Sequence, residues 1–466
     1  MTAVPGPAKT VRTPSADYDR MSRNWDLPRA LMGGTRAMRR KGRVYLPQEP
    51  GESDGAYRDR LNRTTLFNAF RKTVKDMLGR IFAKPIVLGE DVPEILKDYS
   101  ENIDLAGRNL DTFAFEVAKD AMQLGVSFIL TEMPPALGDG ATRADEIAQG
   151  RRPYLVHVKA EDLIGWKSAL VNGRETIAQV RIVERVGAPD PGNPFEDREV
   201  EQVRVLEPGA WTVYRKPDPD KDEWTVHDAG PTSLRQVPLV PIYFNRTGFL
   251  TAEPPLQDLA DLNVAHWQSA SDQRNILHVA RVPLLFGAGF SPDDALVVGA
   301  GTMARASDVN AKLVYVEHSG RAIGAGRDDL KDLEARMQAM GLQLLVSQPG
   351  RTATGEVRDD VKETSPLAMM AHALQDGLER AFGFMAAYEG LGEDAGGSLT
   401  VNRDFGLAAN GGTDRQTLVD AAQAGLLTHE TFLNELKRRG VLADDLDVAG
   451  EIARLARAAA TDGADE

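Results

Sequence analysis

The residues with the strongest chemical suggestion are Leu296-Val297-Val298-Gly299-Ala300-Gly301-Thr302-Met303-Ala304. An apolar strand entering Gly-x-Gly-x-x-Ala is how a dinucleotide-binding turn begins, with glycines that let a pyrophosphate approach a helix N-terminus. The surroundings do not complete the unit. Only about ten residues separate Gly301 from the next apolar segment at Lys312, and the crossover of a βαβ unit needs a dozen or more. Glu317 also falls early for an acid that would hold a ribose. A nucleotide-binding enzyme using the Gly299–Ala304 turn is therefore the alternative reading and not the leading one.

Other catalytic patterns are missing. No Gly-x-x-x-x-Gly-Lys-Ser/Thr loop occurs, which excludes an ATP-driven motor of that type. The seven histidines (His157, His227, His266, His278, His318, His372 and His429) form no His-Glu-x-x-His pattern, and His266 and His278 read as surface or interface residues. No Gly-x-Ser-x-Gly elbow is present, and the acid pairs Asp359-Asp360 and Asp444-Asp445 sit in polar loops. Hence no catalytic residue, metal or cofactor is expected. What remains is the segment Gln348–Lys362, where Pro349, Gly350 and Gly355 forbid regular structure and Arg351, Arg358 and Lys362 alternate with Glu356, Asp359 and Asp360. It is either an ordinary helix–helix connection or a loop that touches phosphates without holding them.

Composition bounds the partners. At 466 residues the chain exceeds one ordinary core, and 42% hydrophobic with 27% charged residues describes a folded protein of two or three modules. No apolar run is long enough to span a bilayer, and the Met1–Pro7 start lacks the order of a signal peptide. Cysteine is absent, which removes disulfides and fits a reducing cytosol. The net charge of −14 argues against tight, static binding of nucleic acid but not against a surface that DNA slides past. The basic cluster Arg36, Arg39, Arg40, Lys41 and Arg43 reads as a solvated helix end, with a phosphate contact as the other possibility.

The elements follow from periodicity. Residues 1–20 are rich in Pro, Ala, Ser and Thr and predict a disordered arm. A helix is expected over Ser53–Ala83, burying Phe67, Phe70, Val74, Met77 and Ile81, and a second over Asn109–Leu124, ending at Gly125. The strand Val126–Leu130 follows. Tyr154–Val158, Ile177–Val183, Val203–Leu206, Trp211–Tyr214 and Trp224–Val226 read as further short strands, with hairpin tips at Pro189–Pro194 and Pro217–Asp222. The first 250 or so residues are thus an α+β body.

Three helical rods come next. The first, Pro254–Ala280, has small residues (Ala260, Ala265, Ser269, Ala270, Ser271), acids (Asp258, Asp261, Asp272) and no clean apolar stripe, which suggests a helix lying between identical neighbours with its acidic face to water. The second, Arg327–Ser347, keeps a seam of Leu330, Leu333, Met337, Met340 and Leu344. The third starts at the cap Ser365-Pro366 and runs to Leu391, with Gly377 and Gly383 inviting a kink. Between the first two lie short strands at Val282–Gly287, Ala295–Val298 and Lys312–Val316, too few for a core of their own. Ser398–Phe405 returns to the body as a strand, and Thr413–Ala460 forms helices that bury Leu418, Leu426, Phe432, Leu436, Ile452 and Leu455.

In this order of parts the chain resembles a portal protein of tailed bacteriophages, and within that family a branch long catalogued as a domain of unknown function. The residues that carry the resemblance are Tyr45-Leu46-Pro47, Arg152-Pro153-Tyr154, Gly165-Trp166, Asp258-Leu259-Ala260-Asp261-Leu262-Asn263 and Thr352-Ala353-Thr354. The resemblance implies an α+β portal-like fold: an arm (1–20), an α/β wing (21–253), stem helix 1 (254–280), a small β-containing clip (281–326), stem helix 2 (327–347), a tunnel loop (348–362), a long kinked helix (363–391), a return strand (392–412) and a helical crown (413–466). It implies a non-enzymatic structural protein of the virion, made in the host bacterial cytoplasm. Twelve copies would form a head-tail connector ring at the capsid vertex, a conduit for DNA packaging and ejection. Expected partners are double-stranded DNA without sequence specificity, a terminase motor, an adaptor at the clip, the major capsid protein and a scaffolding protein, with no membrane. Arg351, Thr352, Thr354, Arg358 and Lys362 would face DNA from the tunnel loop, and Asp258, Asp261 and Asp272 would line the channel. Another head-tail structural component is the alternative within the same class.

Overall fold

The computed structural model describes residues 9–134, 149–190, 192–218, 221–281, 284–290, 310–316, 321–344, 365–403, 428–438 and 446–454, with single positions between them. These fall into two units, Met1–Asn402 and Arg403–Glu466. The first unit opens with three short helices, α1 (Ala16–Ser22), α2 (Asp26–Met32) and α3 (Gly34–Lys41). Over residues 9–20 the expected disordered arm is corrected. Ser15 caps α1 and its N–H donates to Ile164 O at 2.8 Å, while Arg181 donates to Val11 O and Thr13 O at 2.9 and 2.7 Å. An arginine from a distant strand takes up the carbonyls of this Pro/Ser/Thr-rich segment, which composition does not reveal.

The single helix expected over Ser53–Ala83 is two, α4 (Asp54–Arg63) and α5 (Ala69–Ile81). The chain leaves helix at Thr64 and re-enters at Asn68, whose side chain accepts from Arg71 N–H at 2.9 Å. The break turns Phe67 outward, 40% exposed, and brings Leu66 inside, while Phe70, Val74, Met77 and Ile81 stay buried as the periodicity predicts. Strand β1 (Val87–Leu88) and α6 (Glu94–Ser100) lead to α7 (Leu110–Leu124), capped by Asn109 and ended by Gly125. Gly125 has φ 92°, and a side chain there would meet Glu253 O at 2.1 Å, so the stop signal is also a packing requirement.

Eight strands follow: β2 (Val126–Glu132), β3 (Tyr154–Val158), β4 (Leu163–Val171), β5 (Arg174–Asp190), β6 (Asn193–Glu207), β7 (Ala210–Arg215), β8 (Thr225–Pro231) and β9 (Leu239–Tyr243). They make two antiparallel sheets, β3-β2-β9 and the meander β4-β5-β6-β7-β8. The strand expectations fall within β2, β3, β5, β6 and β7, and Trp224–Val226 overlaps the start of β8. Strand β9 escapes sequence reading because it contains Pro241, which is tolerated where β9 forms the sheet edge opposite Phe128. A core of Trp25, Phe128, Leu163, Val180, Ile182 and Leu239 joins the two sheets. A short pair, β10 (Arg246–Gly248) with β11 (Thr251–Ala252), closes the body.

The chain then runs through α8 (Gln257–Ala280), β12 (Leu284–Ala288), β13 (Lys312–Val316), α9 (Arg321–Gln343), α10 (Pro366–Tyr388) and β14 (Leu399–Thr400). β12 and β13 form an antiparallel hairpin, with Leu284 opposite Val316. α9 starts six residues before Arg327, at the expense of the expected 281–326 insert. β14 pairs with β1, Val87 opposite Thr400, so the return strand exists but is two residues long. In the second unit, α11 (His429–Arg438) and a helix at 448–454 half-bury Phe432, Leu436 and Ile452, whereas Leu418, Leu426 and Leu455 lie outside the described residues. Helices and antiparallel sheets together make the fold α+β. Among the described residues no helix is long and apolar enough to cross a membrane.

Candidate functional site

α8 and α9 form an antiparallel pair. His266 Nε2 meets Glu334 Oε1 at 3.2 Å, Ser269 Oγ donates to Asp329 Oδ2 at 2.8 Å, and Gln273 Nε2 donates to Ile323 O at 3.0 Å, so positions rising along α8 descend along α9. On α9 the expected seam holds, with Leu333 and Met337 buried and Leu330, Met340 and Leu344 half-buried. His266 is buried between the rods against Phe67, not on the surface, while His278 is exposed.

The reading of α8 as a helix without a core face is corrected. Leu256, Leu259, Asn263, Trp267, Ala270 and Ser271 are buried at steps of three and four, and Trp267 is fully enclosed. The stripe is hidden in sequence because polar residues occupy part of it. Asn263 accepts from Phe70 N–H at 3.0 Å and donates to Phe67 O at 2.7 Å, satisfying backbone groups released by the break between α4 and α5. Ser271 Oγ lies 2.9 Å from Thr64 Oγ1. The small residues of α8 therefore admit α4 and α5 of the same chain, and they no longer argue for identical neighbours.

The opposite side of α8 carries Asp258, Asp261 and Asp272, all exposed and within one sector of the helix at 3.6 residues per turn. Asp272 stands 3.8 Å from Arg60 Nη1; partial burial raises its pKa, opposed by Arg60 and assisted by Glu49 and Glu52. Arg60 itself is buried under α8. It grips both oxygens of Glu52 at 2.8 Å and Pro47 O at 2.7 Å, and this bidentate bond holds the Glu52 carboxyl below the usual range. Tyr57 donates to Leu46 O and Gln268 to Tyr45 O, so Tyr45-Leu46-Pro47 is the corner on which α8 rests.

α10 begins as the sequence predicts, with Ser365 accepting from Ala368 N–H at 3.3 Å and Pro366 in the first turn. It runs uninterrupted to Tyr388, and its glycines admit the close approach of neighbouring elements. A Cβ at Gly377 would lie 2.0 Å from Ile242 Cδ1 of β9, and one at Gly383 would lie 2.5 Å from Glu393 O. Arg351, Thr352, Thr354, Arg358 and Lys362 lie outside the described residues, as does the Gly299–Ala304 turn.

The body holds the constellation closest to catalytic chemistry, and sequence reading misses it because its members are far apart. Ser127 Oγ is 2.7 Å and Asp120 Oδ2 3.5 Å from His157 Nε2. A hydrolytic triad needs the hydroxyl and the carboxylate on opposite ring nitrogens. Here both meet the same nitrogen, Ser127 is fully buried, and burial pushes the His157 pKa down to about 4. Arg29 ties the network to α2, donating to Asp120 Oδ1 at 2.6 Å, Gln123 Oε1 at 2.7 Å and both oxygens of Glu161. The arrangement is an internal brace. A cleft of about 450 Å³ between the sheets is lined by Tyr154, Trp211, Tyr388 and Arg204, but Arg204 is already engaged by Glu132 and Glu184. Among the described residues, no three His, Cys, Asp or Glu side chains are grouped to hold a metal ion.

With this geometry in place, comparison with known proteins singles out the same stretch. Residues 255–389 match the family described as Domain of unknown function (DUF4055). The match runs from the start of α8 to the end of α10, so the resemblance to a branch of that description is met over the rods. No curated protein sequence matches the chain. Among solved structures, it is similar to a chain in the neck of an empty gene transfer agent particle computed with C6 symmetry, at 11% identity and TM-score 0.38, covering 80% of this chain and 89% of that one. A chain in the virion of the native gene transfer agent gives 12% identity and TM-score 0.38, covering 79% and 88%. A chain in the neck of the native particle computed with C12 symmetry gives 13% and 0.39, covering 86% and 98%.

Proposed function

We propose that the chain is a portal-type structural protein whose copies close into a ring, twelve in the virion, around a channel for double-stranded DNA. The observation that carries this reading is the order α8, hairpin β12–β13, α9, α10, with one side of α8 anchored to the body and the other an exposed acidic face. Exposed Asp258, Asp261 and Asp272 would repel phosphates and keep a sliding duplex from sticking, while screened cations give only brief contacts. The segment 348–362, with Arg351, Thr352, Thr354, Arg358 and Lys362, is the proposed tunnel loop. A separate terminase supplies the work of packaging and docks on the ring. An adaptor binds the hairpin module, and capsid and scaffolding proteins surround the body at the vertex.

In an in vitro packaging assay, Arg351→Glu combined with Arg358→Glu should lower DNA uptake at least tenfold while ring assembly, read by native mass, is unchanged. Wild-type uptake by that variant would remove the loop arginines from the contact.

A further inference from the structure

The positive charge of this acidic chain is concentrated. Between residues 34 and 84 there are thirteen Lys and Arg against five Asp and Glu, a surplus of eight positive charges within a chain of net −14. The segment is α3, α4 and α5, and the structure brings the start of α5 against the start of α3. The Arg71 guanidinium, near the start of α5, lies against Gly34, where a Cβ would come within 3.2 Å of its Nη1. Arg36 and Arg40 are exposed one turn apart on α3, and Arg71 and Lys75 are exposed one turn apart on α5. Lys41, Arg43 and Lys72 at the margins are each paired with a carboxylate, Asp26, Asp54 and Asp76. Among the described residues, none of the four inner cations has a carboxylate placed against it in the same way.

We propose that Arg36, Arg40, Arg71 and Lys75 form a binding face for the sugar-phosphate backbone of duplex DNA. The pairs repeat at about 5–6 Å along each helix, the scale of successive phosphates on one strand. Guanidinium groups present forked donors suited to phosphate oxygens. The exposed residues of α3 and α5 include no apolar side chain, whereas a protein partner would be expected to find an apolar centre. Interfaces with nucleic acid are polar and basic throughout. The inference rests on the proposed handling of duplex DNA but puts a contact on the body, on helices outside the rods and the loop.

The test is fluorescence anisotropy of a 30-base-pair duplex of random sequence with the purified full-length protein, at 50 and 200 mM salt. Four phosphate contacts predict that affinity falls about a hundredfold between the two salts. Arg36→Glu, Arg40→Glu, Arg71→Glu and Lys75→Glu together should weaken binding at least tenfold at 50 mM salt and flatten the salt dependence. Lys167→Glu with Arg235→Glu, both exposed elsewhere on the body, should bind as wild type. Circular dichroism and native mass on the same samples report folding and ring formation. Loss of binding with the ring intact supports the face. Equal binding by the fourfold variant, or no binding by the wild-type ring, overturns it without touching the proposed ring. Loss of the ring in the folded fourfold variant also overturns it, since the face would then join protein to protein. Absence of a ring in the wild type counts against the proposed function instead.

Discussion

α8 and α10 are nearly equal in length and both flank the body, yet they are held in different ways. α10 buries an almost continuous apolar surface, with Leu367, Leu374, Leu378, Phe382 and Met385 enclosed. α8 is fixed by one large anchor, Trp267, and by side chains that satisfy backbone elsewhere, above all Asn263. A hydrophobic stripe announces the first kind of helix. The second kind looks like an unattached rod, because its attachment is written in hydrogen bonds to a break that the sequence does not reveal.

If α8 is a packed helix, removing its anchor should have the largest effect. Trp267→Ala is expected to destabilise the protein by about 3–5 kcal/mol, measured by urea denaturation. A loss below about 1 kcal/mol would restore the picture of a loose rod. Polar attachment also operates inside the body, at His157. Burial lowers its pKa from 6.5 to about 4, so the unfolded chain takes up a proton that the folded one resists. Stability from this group is therefore complete above pH 6.5, falls as pH drops toward 4, and levels off at a loss of about 3 kcal/mol. The stability difference between wild type and His157→Gln should change across that window, and a difference independent of pH would contradict the assignment.

On α10 the contrast predicts intolerance of added volume. Gly383→Ala puts a methyl 2.5 Å from the backbone oxygen of Glu393, which cannot swing away as a side chain could, and should cost about 1–3 kcal/mol. The smallest effect belongs to the exposed side of α8. Replacing Asp258 and Asp261 together with Asn should leave stability within about 0.5 kcal/mol, because these side chains face water. A larger loss would mean that this side is packed too.

Much of the architecture is legible before any coordinates. The caps Asn109 and Ser365, the stop at Gly125, five of the body strands after β2 and the seam of α9 follow from periodicity and end signals. What sequence alone misses has physical causes. The break at Thr64–Asn68 lies inside an uninterrupted apolar pattern, and the docking of residues 9–15 depends on Arg181, more than 160 positions away. The close neighbours of Gly377 and Gly383 are not legible, because a missing side chain gives no hint of the element that requires its absence. The candidate site is legible only in part: the acidic face of α8 is where the spacing puts it, while the brace at Asp120, Ser127 and His157 joins residues with no common motif.

The central claim is that copies of this chain close into a ring around a channel, and cryo-electron microscopy of the purified protein tests it most directly. A closed ring with a central hole, with the α8 and α9 rods around that hole and Asp258, Asp261 and Asp272 turned toward it, is the predicted result. Particles that remain monomers or dimers under conditions where capsids assemble, or a ring whose α8 acids face away from the hole, would contradict it.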